Sequence, residues 1–299
     1  MPLDSGALTL ILITLFAATV NGALGYGFSS LTVPVALLFY INRVLNPALV
    51  LIEVVLNSYV LFINRKSLSH VWRRVLPIVV GLIPGIAIGS FVLSYVSPAT
   101  TKIVTYALVL PLILLQAGGF RRYIHAERSV GVPFGTGLGV LYSVTTISGP
   151  PLALLFNNQG FVRQEFRAGL ALVRIVESTV TAVAYVFLGL YSEASFQLVP
   201  LIVPSVVIGI PVGAFIIRHI EAETFRRICM SFDAWVVGFG LSRTLIELGW
   251  LESPAAYAVL AAAAIVDSWL LVIFFRMRAR GISVFPINEA PGHQLRLPT

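Results

Sequence analysis

The stretch Ser143–Pro151 (SVTTISGPP) places hydroxyl side chains, a glycine and prolines inside the apolar run Val130–Phe156. This run is too apolar for a surface loop and too often interrupted for one continuous helix. An earlier stretch, Asn21–Pro34 (NGALGYGFSSLTVP), has the same character inside the apolar run Leu8–Ile41. The sequence therefore predicts two helix hairpins, 8–41 and 130–156, each broken near its centre.

The overall composition indicates an integral membrane protein. Hydrophobic residues make up 58% of the chain and charged residues 11%, whereas a soluble domain carries about 25% charged residues. The apolar runs are long and continuous, which favours helices over the short alternating segments of a barrel. As a single helix, Leu8–Ile41 would be roughly 51 Å long, against a hydrocarbon core of about 30 Å. The length of this run therefore also predicts that it bends into a hairpin of two helices.

The net charge of +7 raises the question of a nucleic-acid partner. Most of the arginines, however, lie in short loops between apolar runs, which is the topology signal of a membrane protein. We therefore expect a lipid bilayer and no nucleic acid as the partner of this chain. The single cysteine, Cys229, excludes an internal disulfide and argues against a thiol-pair redox role.

The apolar runs divide the chain into two halves and a final span. The first half, 1–117, holds the broken hairpin and three predicted spans: 47–63, 75–96 and 102–117. A linker, 118–129, precedes the second half, 130–246, whose predicted spans are 168–190, 198–217 and 228–246. A last span, 255–275, is followed by the tail 276–299.

Basic loops set the expected orientation. The cytoplasmic side should hold the tail and four basic loops: 64–74, 118–129, 157–167 and 218–227. The loops 191–197 and 247–254 should lie outside. If each broken hairpin enters and leaves on one side, the N-terminus is outside and the C-terminus is cytoplasmic. Asp4 stands near the N-terminus with no basic residue before the first apolar run, which favours a retained membrane segment over a signal peptide.

The two halves read as repeats. Pro34–Phe39 (PVALLF) matches Pro151–Phe156 (PLALLF), and Gly85–Phe91 (GIAIGSF) matches Gly209–Phe215 (GIPVGAF), in the same order. Because three spans are an odd number, the second half would be inverted relative to the first. Inverted repeats with a midplane site are the design of many secondary transporters. The alternative is that apolar sequences, which use few residue types, match by chance.

The breaks themselves are the candidate binding site. Irregular backbone is tolerated at membrane depth only where it is buried in protein or lines a cavity. We expect Ser148, and Ser30 or Thr32, to cap half-helices whose positive N-termini favour an anion. The alternative is that small residues merely let helices pack closely. The predicted substrate-binding residues are Asn21, Gly25, Tyr26, Gly27, Ser29, Ser30, Ser143, Thr145, Thr146, Ser148 and Gly149, with Asn57, Arg174 and Ser178 from the spans.

Charged residues within spans are functional candidates. The functional hypothesis makes Arg174 a partner of the substrate anion and Glu53 or Glu177 a proton-coupling group. The alternative is an internal ion pair, or side chains that reach the membrane interface. Asp233 and Asp267 also lie in spans, without an assigned role. No metal motif or cofactor loop is present, and Ser148 has no evident His or Lys partner, so we expect no cofactor and no enzyme.

The block Ser148–Leu154 (SGPPLAL), followed by Phe166–Leu170 (FRAGL), resembles the sulfite exporter TauE/SafE family of bacterial membrane permeases. The likeness extends to Asn21–Gly22, Gly25–Phe28, Val33–Pro34, Arg43, Asn57, His70–Pro77 and Gly160–Phe161. It implies a permease for small sulfur-containing or organic anions: sulfite, thiosulfate, sulfonates such as sulfoacetate, or related carboxylates. Glu53, Arg174 and Glu177 depart from the pattern expected of the family.

The sequence as a whole predicts a helical secondary transporter that moves a small anion across the bacterial inner membrane by alternating access. Outward movement is favoured, because a negative interior drives anion exit by about 2.3 kcal/mol per charge per 100 mV. Two rivals remain open at this stage. One is a passive anion channel on the same scaffold, and the other is an intramembrane enzyme or a structural partner of one. The sequence does not predict an oligomeric state.

Overall fold

The computed structural model describes residues 5–63, 65–119, 127–158 and 163–281. These residues are helical and contain no strand. The α-helices are α1 Ser5–Leu24, α2 Phe28–Ala36, α3 Asn42–Ile63, α4 Leu68–Tyr95, α5 Pro98–Ala117, α6 Glu127–Thr145, α7 Gly149–Asn158, α8 Arg163–Phe187, α9 Glu193–Ile216, α10 Ala222–Glu247 and α11 Ala258–Ala279. The expectations for 120–126, for Gly160–Phe161 and for the tail beyond 281 fall outside the described residues.

Seven of the described helices are long and apolar enough to cross a membrane: α1, α3, α4, α5, α8, α9 and α11. Their outer surfaces are apolar as well, since Phe187, Val55 and Ile265 are 85%, 71% and 69% exposed. Exposed side chains of this kind suit a lipid environment. The predicted all-helical membrane fold is confirmed. The predicted span 228–246 corresponds to α10, which has comparable length but carries more charge.

Each predicted span corresponds to one helix. For α3, α4, α5, α8, α9 and α10, the helix begins four to seven residues before the predicted start. Apolar composition marks only the part of a helix inside the hydrocarbon, whereas the helix continues into the polar interface. Local capping adds to this at two starts, because Ser97 Oγ accepts from Thr100 N and Ser192 Oγ accepts from Ser195 N, each at 3.2 Å.

The two predicted breaks are present in the backbone. Between α1 and α2, Gly25 and Gly27 take positive φ angles of 84° and 107°, a conformation that glycine adopts at little cost. Between α6 and α7, Thr146 has a φ of 57°, which is uncommon for a residue with a branched side chain. Pro150 follows and has no N–H with which to continue the helix of α6. Backbone chemistry thus separates each run into a long helix and a half-helix.

Small residues bring the backbones of α4 and α6 into direct contact. A Cβ atom added at Gly85 would lie 2.1 Å from the carbonyl oxygen of Thr136, and one added at Gly135 would lie 2.1 Å from that of Ile78. The pair α1 and α9 is built in the same way, because a Cβ at Gly213 would meet the carbonyl oxygen of Thr19 at 1.8 Å. Such close approach is the usual way in which membrane helices associate.

The remaining helices enclose these two pairs. α3 packs against α8 and α9, α8 packs against α4, and α10 packs against α2, α5 and α11. The buried pair Arg227–Asp267 joins α10 to α11, with Nη1 and Oδ1 2.8 Å apart and both side chains fully buried. Asp267 therefore forms a buried ion pair between two helices. At the start of α3, Arg43 donates to the carbonyl oxygens of Leu93, Ser94 and Val96 at the end of α4.

Candidate functional site

The two breaks lie against each other in the interior of the helix bundle. A Cβ atom added at Gly149 would lie 3.5 Å from Cδ2 of Tyr26 and 4.0 Å from the backbone nitrogen of Gly27. Gly149 begins α7 and Gly27 directly precedes α2, so the N-terminal ends of both half-helices lie at this point. Helix N-termini carry partial positive charge. Both helix N-termini therefore contribute partial positive charge where the breaks meet.

The half-helices differ in what their N-termini offer. The first intrahelical bond of α2 runs from Leu31 N to Gly27 O at 3.2 Å, so the N–H groups before Leu31 have no acceptor within the helix. In α7, Pro150 and Pro151 have no N–H, and Leu152 N donates to Ser148 O at 3.1 Å. The start of α7 therefore offers the N–H of Gly149, whereas α2 offers several.

The predicted cap of α2 by Ser30 or Thr32 is wrong, whereas Ser148 directly precedes α7. Gly27 occupies the N-cap position of α2, with no side-chain cap bond in the described structure. Ser30 Oγ donates to Gly27 O at 3.2 Å, and Thr32 Oγ1 has no hydrogen-bond partner among the described residues. Ser148 Oγ donates to Glu177 Oε2 at 2.6 Å. A carboxylate oxygen is the stronger acceptor inside a bundle, and it draws the Ser148 hydroxyl toward α8.

A buried network surrounds Glu53. Its Oε1 accepts from Ser29 Oγ at 2.5 Å and from Arg174 Nη2 at 2.7 Å, and its Oε2 accepts from Tyr142 OH at 2.6 Å. All four side chains are at most 3% exposed. The network joins α2, which holds Ser29, to α3, α6 and α8. Sequence reasoning missed Tyr142, although a tyrosine inside an apolar run needs a buried partner for its hydroxyl.

Arg174 forms further hydrogen bonds through its guanidinium group and through its backbone oxygen. Nη1 donates to Asn21 Oδ1 at 3.4 Å, while its backbone oxygen accepts from Asn57 Nδ2 at 3.3 Å and from Ser178 Oγ at 2.8 Å. Its Nε has no acceptor among the described residues, and neither has Asn21 Nδ2. The structure shows an internal ion pair of Arg174 with Glu53, and binding of the substrate anion by Arg174 stays a prediction. One guanidinium N–H and one amide group at this point remain available for a ligand.

Glu177 lies in the other half of the site. Its Oε2 accepts from Ser148 at 2.6 Å, and its Oε1 has no partner in the part of the chain that the structure describes. The side chain is fully buried. At each break, one serine hydroxyl therefore donates to one buried glutamate: Ser29 to Glu53 and Ser148 to Glu177.

The other predicted hydroxyl ligands already have protein acceptors. Ser143 Oγ donates to Gly139 O and Thr145 Oγ1 to Leu141 O, each at 2.7 Å, and Thr146 Oγ1 donates to Thr145 O at 2.6 Å. These three side chains lie beside the break, and their hydroxyl groups donate to backbone carbonyl oxygens.

The end of α6 is held by long-range side chains that the sequence did not point to. The carbonyl oxygen of Val144 accepts from Asn46 Nδ2 at 2.5 Å, and that of Ser143 accepts from the hydroxyl of Tyr185. These bonds satisfy carbonyl groups that the break removes from the helix. Their donors come from α3 and α8, so they could not be paired from local sequence.

A cavity of about 770 Å³ reaches the first break. Its lining includes Asn21, Gly25, Arg167 and Arg218, and Arg167 Nη2 also donates to Ala23 O at 3.0 Å. Two arginines and the Asn21 amide make this cavity favourable for an anion. Sequence reasoning had placed Arg218 only as a loop charge, and Arg167 as a loop charge within the block that resembles the family. Among the described side chains, no group of three His, Cys, Asp or Glu residues is arranged to hold a metal ion.

An apolar groove of about 530 Å³ lies beside this cavity, between α3 and α9. It shares Tyr59, Ile210 and Pro211 with the cavity.

Comparisons with known proteins agree with this architecture. The family model described as "Sulfite exporter TauE/SafE" matches residues 10–240. A curated relative, the "Probable sulfite/organosulfonate exporter TauE" of Cupriavidus necator, is 30% identical over 186 residues, which are 60% of this chain and 71% of that protein. No solved structure matches the chain. Because the family model covers most of the sequence, the chain belongs to the sulfite exporter TauE/SafE family and is a multi-pass membrane transporter.

Proposed function

We propose that the protein is a secondary transporter that moves a small sulfur-containing or organic anion, such as sulfite, sulfoacetate or thiosulfate, across the bacterial cytoplasmic membrane. The observation that carries this proposal is the meeting of the two helix breaks at Tyr26 and Gly149. The half-helix N-termini, the Asn21 amide and the Nε–H of Arg174 offer hydrogen-bond donors to an anion at this site. The printed name of the Cupriavidus necator relative supports the sulfur-anion class.

The pattern of helix packing supports two inverted repeats, α1–α5 and α6–α10. α1 packs against α9 as α6 packs against α4. α3 meets α9 as α8 meets α4, and α2 meets α10 as α7 meets α5. Every one of these contacts has its counterpart when the two halves are exchanged, as a two-fold relation requires. The substrate then lies at the repeat interface, and alternating access exposes it to each side in turn.

Proton coupling is assigned to Glu177 rather than to Glu53. Glu53 is engaged by Ser29, Tyr142 and Arg174, so both of its oxygens are in use. Glu177 has a second oxygen without a partner among the described residues, which leaves a position for a proton. A pH gradient should therefore drive anion flux in the parent and in a Glu53→Gln variant that folds, and not in Glu177→Gln. Equal insensitivity of all three would remove proton coupling from the mechanism.

The cavity lined by Arg167 and Arg218 is the proposed cytoplasmic entrance. Both arginines come from loops or helix ends that the positive charge pattern assigns to the cytoplasm, with the N-terminus outside. The orientation is tested by membrane-impermeant maleimide labelling of intact cells in a Cys229→Ser background. A Glu252→Cys variant should be labelled from outside and Lys66→Cys only after lysis. The reverse pattern would invert the proposed topology.

The transport function is tested by efflux of labelled sulfite, sulfoacetate and thiosulfate from proteoliposomes. We expect saturable efflux of at least one anion, with counterflow, and its loss in the double variant Glu53→Gln/Arg174→Gln. That variant removes both charges and leaves two neutral amides, one the size of the glutamate and one shorter than the arginine. The matched control is Gly137→Ala, because a Cβ there meets no heavy atom of the described residues within 4 Å. Absence of efflux beyond empty liposomes for every anion would refute the assignment, and flux without counterflow would indicate a channel.

A further inference from the structure

The apolar groove between α3 and α9 opens toward the lipid along the side of the helix bundle. On α9 its lining includes Val199, Val203 and Val207, which recur every four residues and therefore lie on one face of the helix. On α3 the lining includes Val55 and Tyr59, which follow the same spacing. Val55, Tyr59 and Val207 are each more than half exposed, so an acyl chain can enter the groove from the bilayer.

The groove continues into the cavity that reaches the first break. Tyr59, Ile210 and Pro211 line both spaces. Beyond these residues the cavity lining holds two basic side chains, Arg167 and Arg218. Among the described residues, no acidic side chain lines the cavity. One continuous space is therefore apolar along most of its length and positively charged at one end.

The length of this space corresponds to one leaflet of a bilayer. From Val199 to Arg218 it follows α9 and the residues after it over about 28 Å, at about 1.5 Å per residue. Half of a bilayer, headgroups included, is about 20–22 Å thick. A lipid with its phosphate at Arg218 would therefore extend past Pro211 and end near Val203.

We propose that the groove and the adjoining cavity bind one anionic phospholipid of the phosphatidylglycerol class from the cytoplasmic leaflet. One acyl chain lies along the valine face of α9. The headgroup phosphate accepts from the exposed side chain of Arg218, and Arg167 adds a second positive charge. A zwitterionic headgroup would bring its ammonium group close to both arginines and would be disfavoured.

The choice of leaflet rests on the orientation proposed above, whereas the binding of the lipid does not depend on transport. The phosphate would meet the same two arginines that a transported anion meets at the proposed entrance. A bound lipid would therefore reduce the positive charge at that entrance.

Native mass spectrometry of the full-length protein tests the proposal, by titration with phosphatidylglycerol and with phosphatidylethanolamine of identical acyl chains. We expect phosphatidylglycerol to bind about tenfold more tightly or better, because each arginine near an anionic headgroup contributes about fivefold. Arg218→Gln should reduce this preference about fivefold. Val207→Trp should weaken the binding of both lipids, because its ring would occupy the groove beside α3.

The matched control is Arg276→Gln. Arg276 is also exposed and lies in the last turn of α11, and it lines neither the groove nor the cavity. Its lipid preference should equal that of the parent. Equal affinity of the parent for the two lipids, or an equal loss of preference in Arg276→Gln and Arg218→Gln, would overturn the proposal.

Free glycerol 3-phosphate distinguishes the lipid from its headgroup alone. It should not displace phosphatidylglycerol at millimolar concentration, because it has no chain to fill the groove, and displacement would overturn the lipid site. Absence of lipid preference in protein that transports sulfite in proteoliposomes would overturn the lipid site alone. Absence of flux for every anion, with the lipid preference present, would overturn the transport function alone.

Discussion

Replacement of Glu53 by glutamine tests whether the central ion pair holds the site together. Glutamine keeps the size of the side chain and removes its charge. Arg174 Nη2 then faces a neutral amide where the carboxylate oxygen lay at 2.7 Å. Ser29 donates to Oε1 and Tyr142 to Oε2, and the hydroxyl that faces the amide nitrogen loses its acceptor.

The expected loss of stability is large because the pair is buried. The Arg174 and Glu53 side chains are 3% and 0% exposed, and removing one partner of such a pair costs about 3–5 kcal/mol. With an unfolding entropy of about 2.1 cal/mol/K per residue, that loss lowers Tm by roughly 5–8 °C for a chain of this length. Glu177→Gln is the matched control, because Glu177 accepts one bond from a neutral serine. It should cost about 1 kcal/mol or less.

Thermal unfolding of the purified protein, followed by tryptophan fluorescence, measures both variants. A second readout comes from adding a transported anion. In Glu53→Gln an anion can take the place of the missing carboxylate beside Arg174, so the anion should raise Tm by more than it does in the parent. If Glu53→Gln unfolds within 2 °C of the parent, or if Glu177→Gln loses as much, the ion pair does not have the role argued for it.

Two further predictions concern helix packing. Gly135→Ala should lower stability by about 1–3 kcal/mol, because its Cβ would lie 2.1 Å from the carbonyl oxygen of Ile78. Gly137→Ala, two residues away on the same helix, should be neutral or stabilising by up to about 1 kcal/mol, and equal melting of the two variants would contradict the contact. Asp267→Leu should destabilise by about 3–5 kcal/mol, and the double variant with Arg227→Met should recover most of that loss. Failure of the second change to restore Tm would show that the pair acts through more than its charges.

The breaks were predictable because their cause is local. Glycine at 25 and 27 and proline at 150 and 151 interrupt a helix by backbone chemistry alone, and apolar length required a bend. The bonding of the hydroxyl groups was not predictable. Ser148 precedes its own helix as expected, but its hydroxyl donates to Glu177 on α8, and this bond depends on which helix packs beside the break.

Sequence reasoning missed other residues for the same reason, namely that their partners lie on other helices. Tyr142, Asn46 and Tyr185 are ordinary members of apolar or interfacial segments when the sequence is read in order. Their importance comes from the acceptors or neighbours that other helices bring to them. By contrast, Glu53, Arg174 and Glu177 stood out because charge inside a span is costly, and the structure places all three at the centre.

The glycine contacts determine which parts of the bundle can move as rigid bodies. α4 and α6 touch backbone to backbone, as do α1 and α9, yet each pair joins one helix from the first half to one from the second. The two halves of the chain are therefore interlaced, and a motion of one half against the other would separate both contacts. If transport uses alternating access, we expect the sets built on α4 with α6 and on α1 with α9 to move as units instead. The Glu53–Arg174 pair joins α3 to α8, which pack against different sets, so this pair should hold the two sets together.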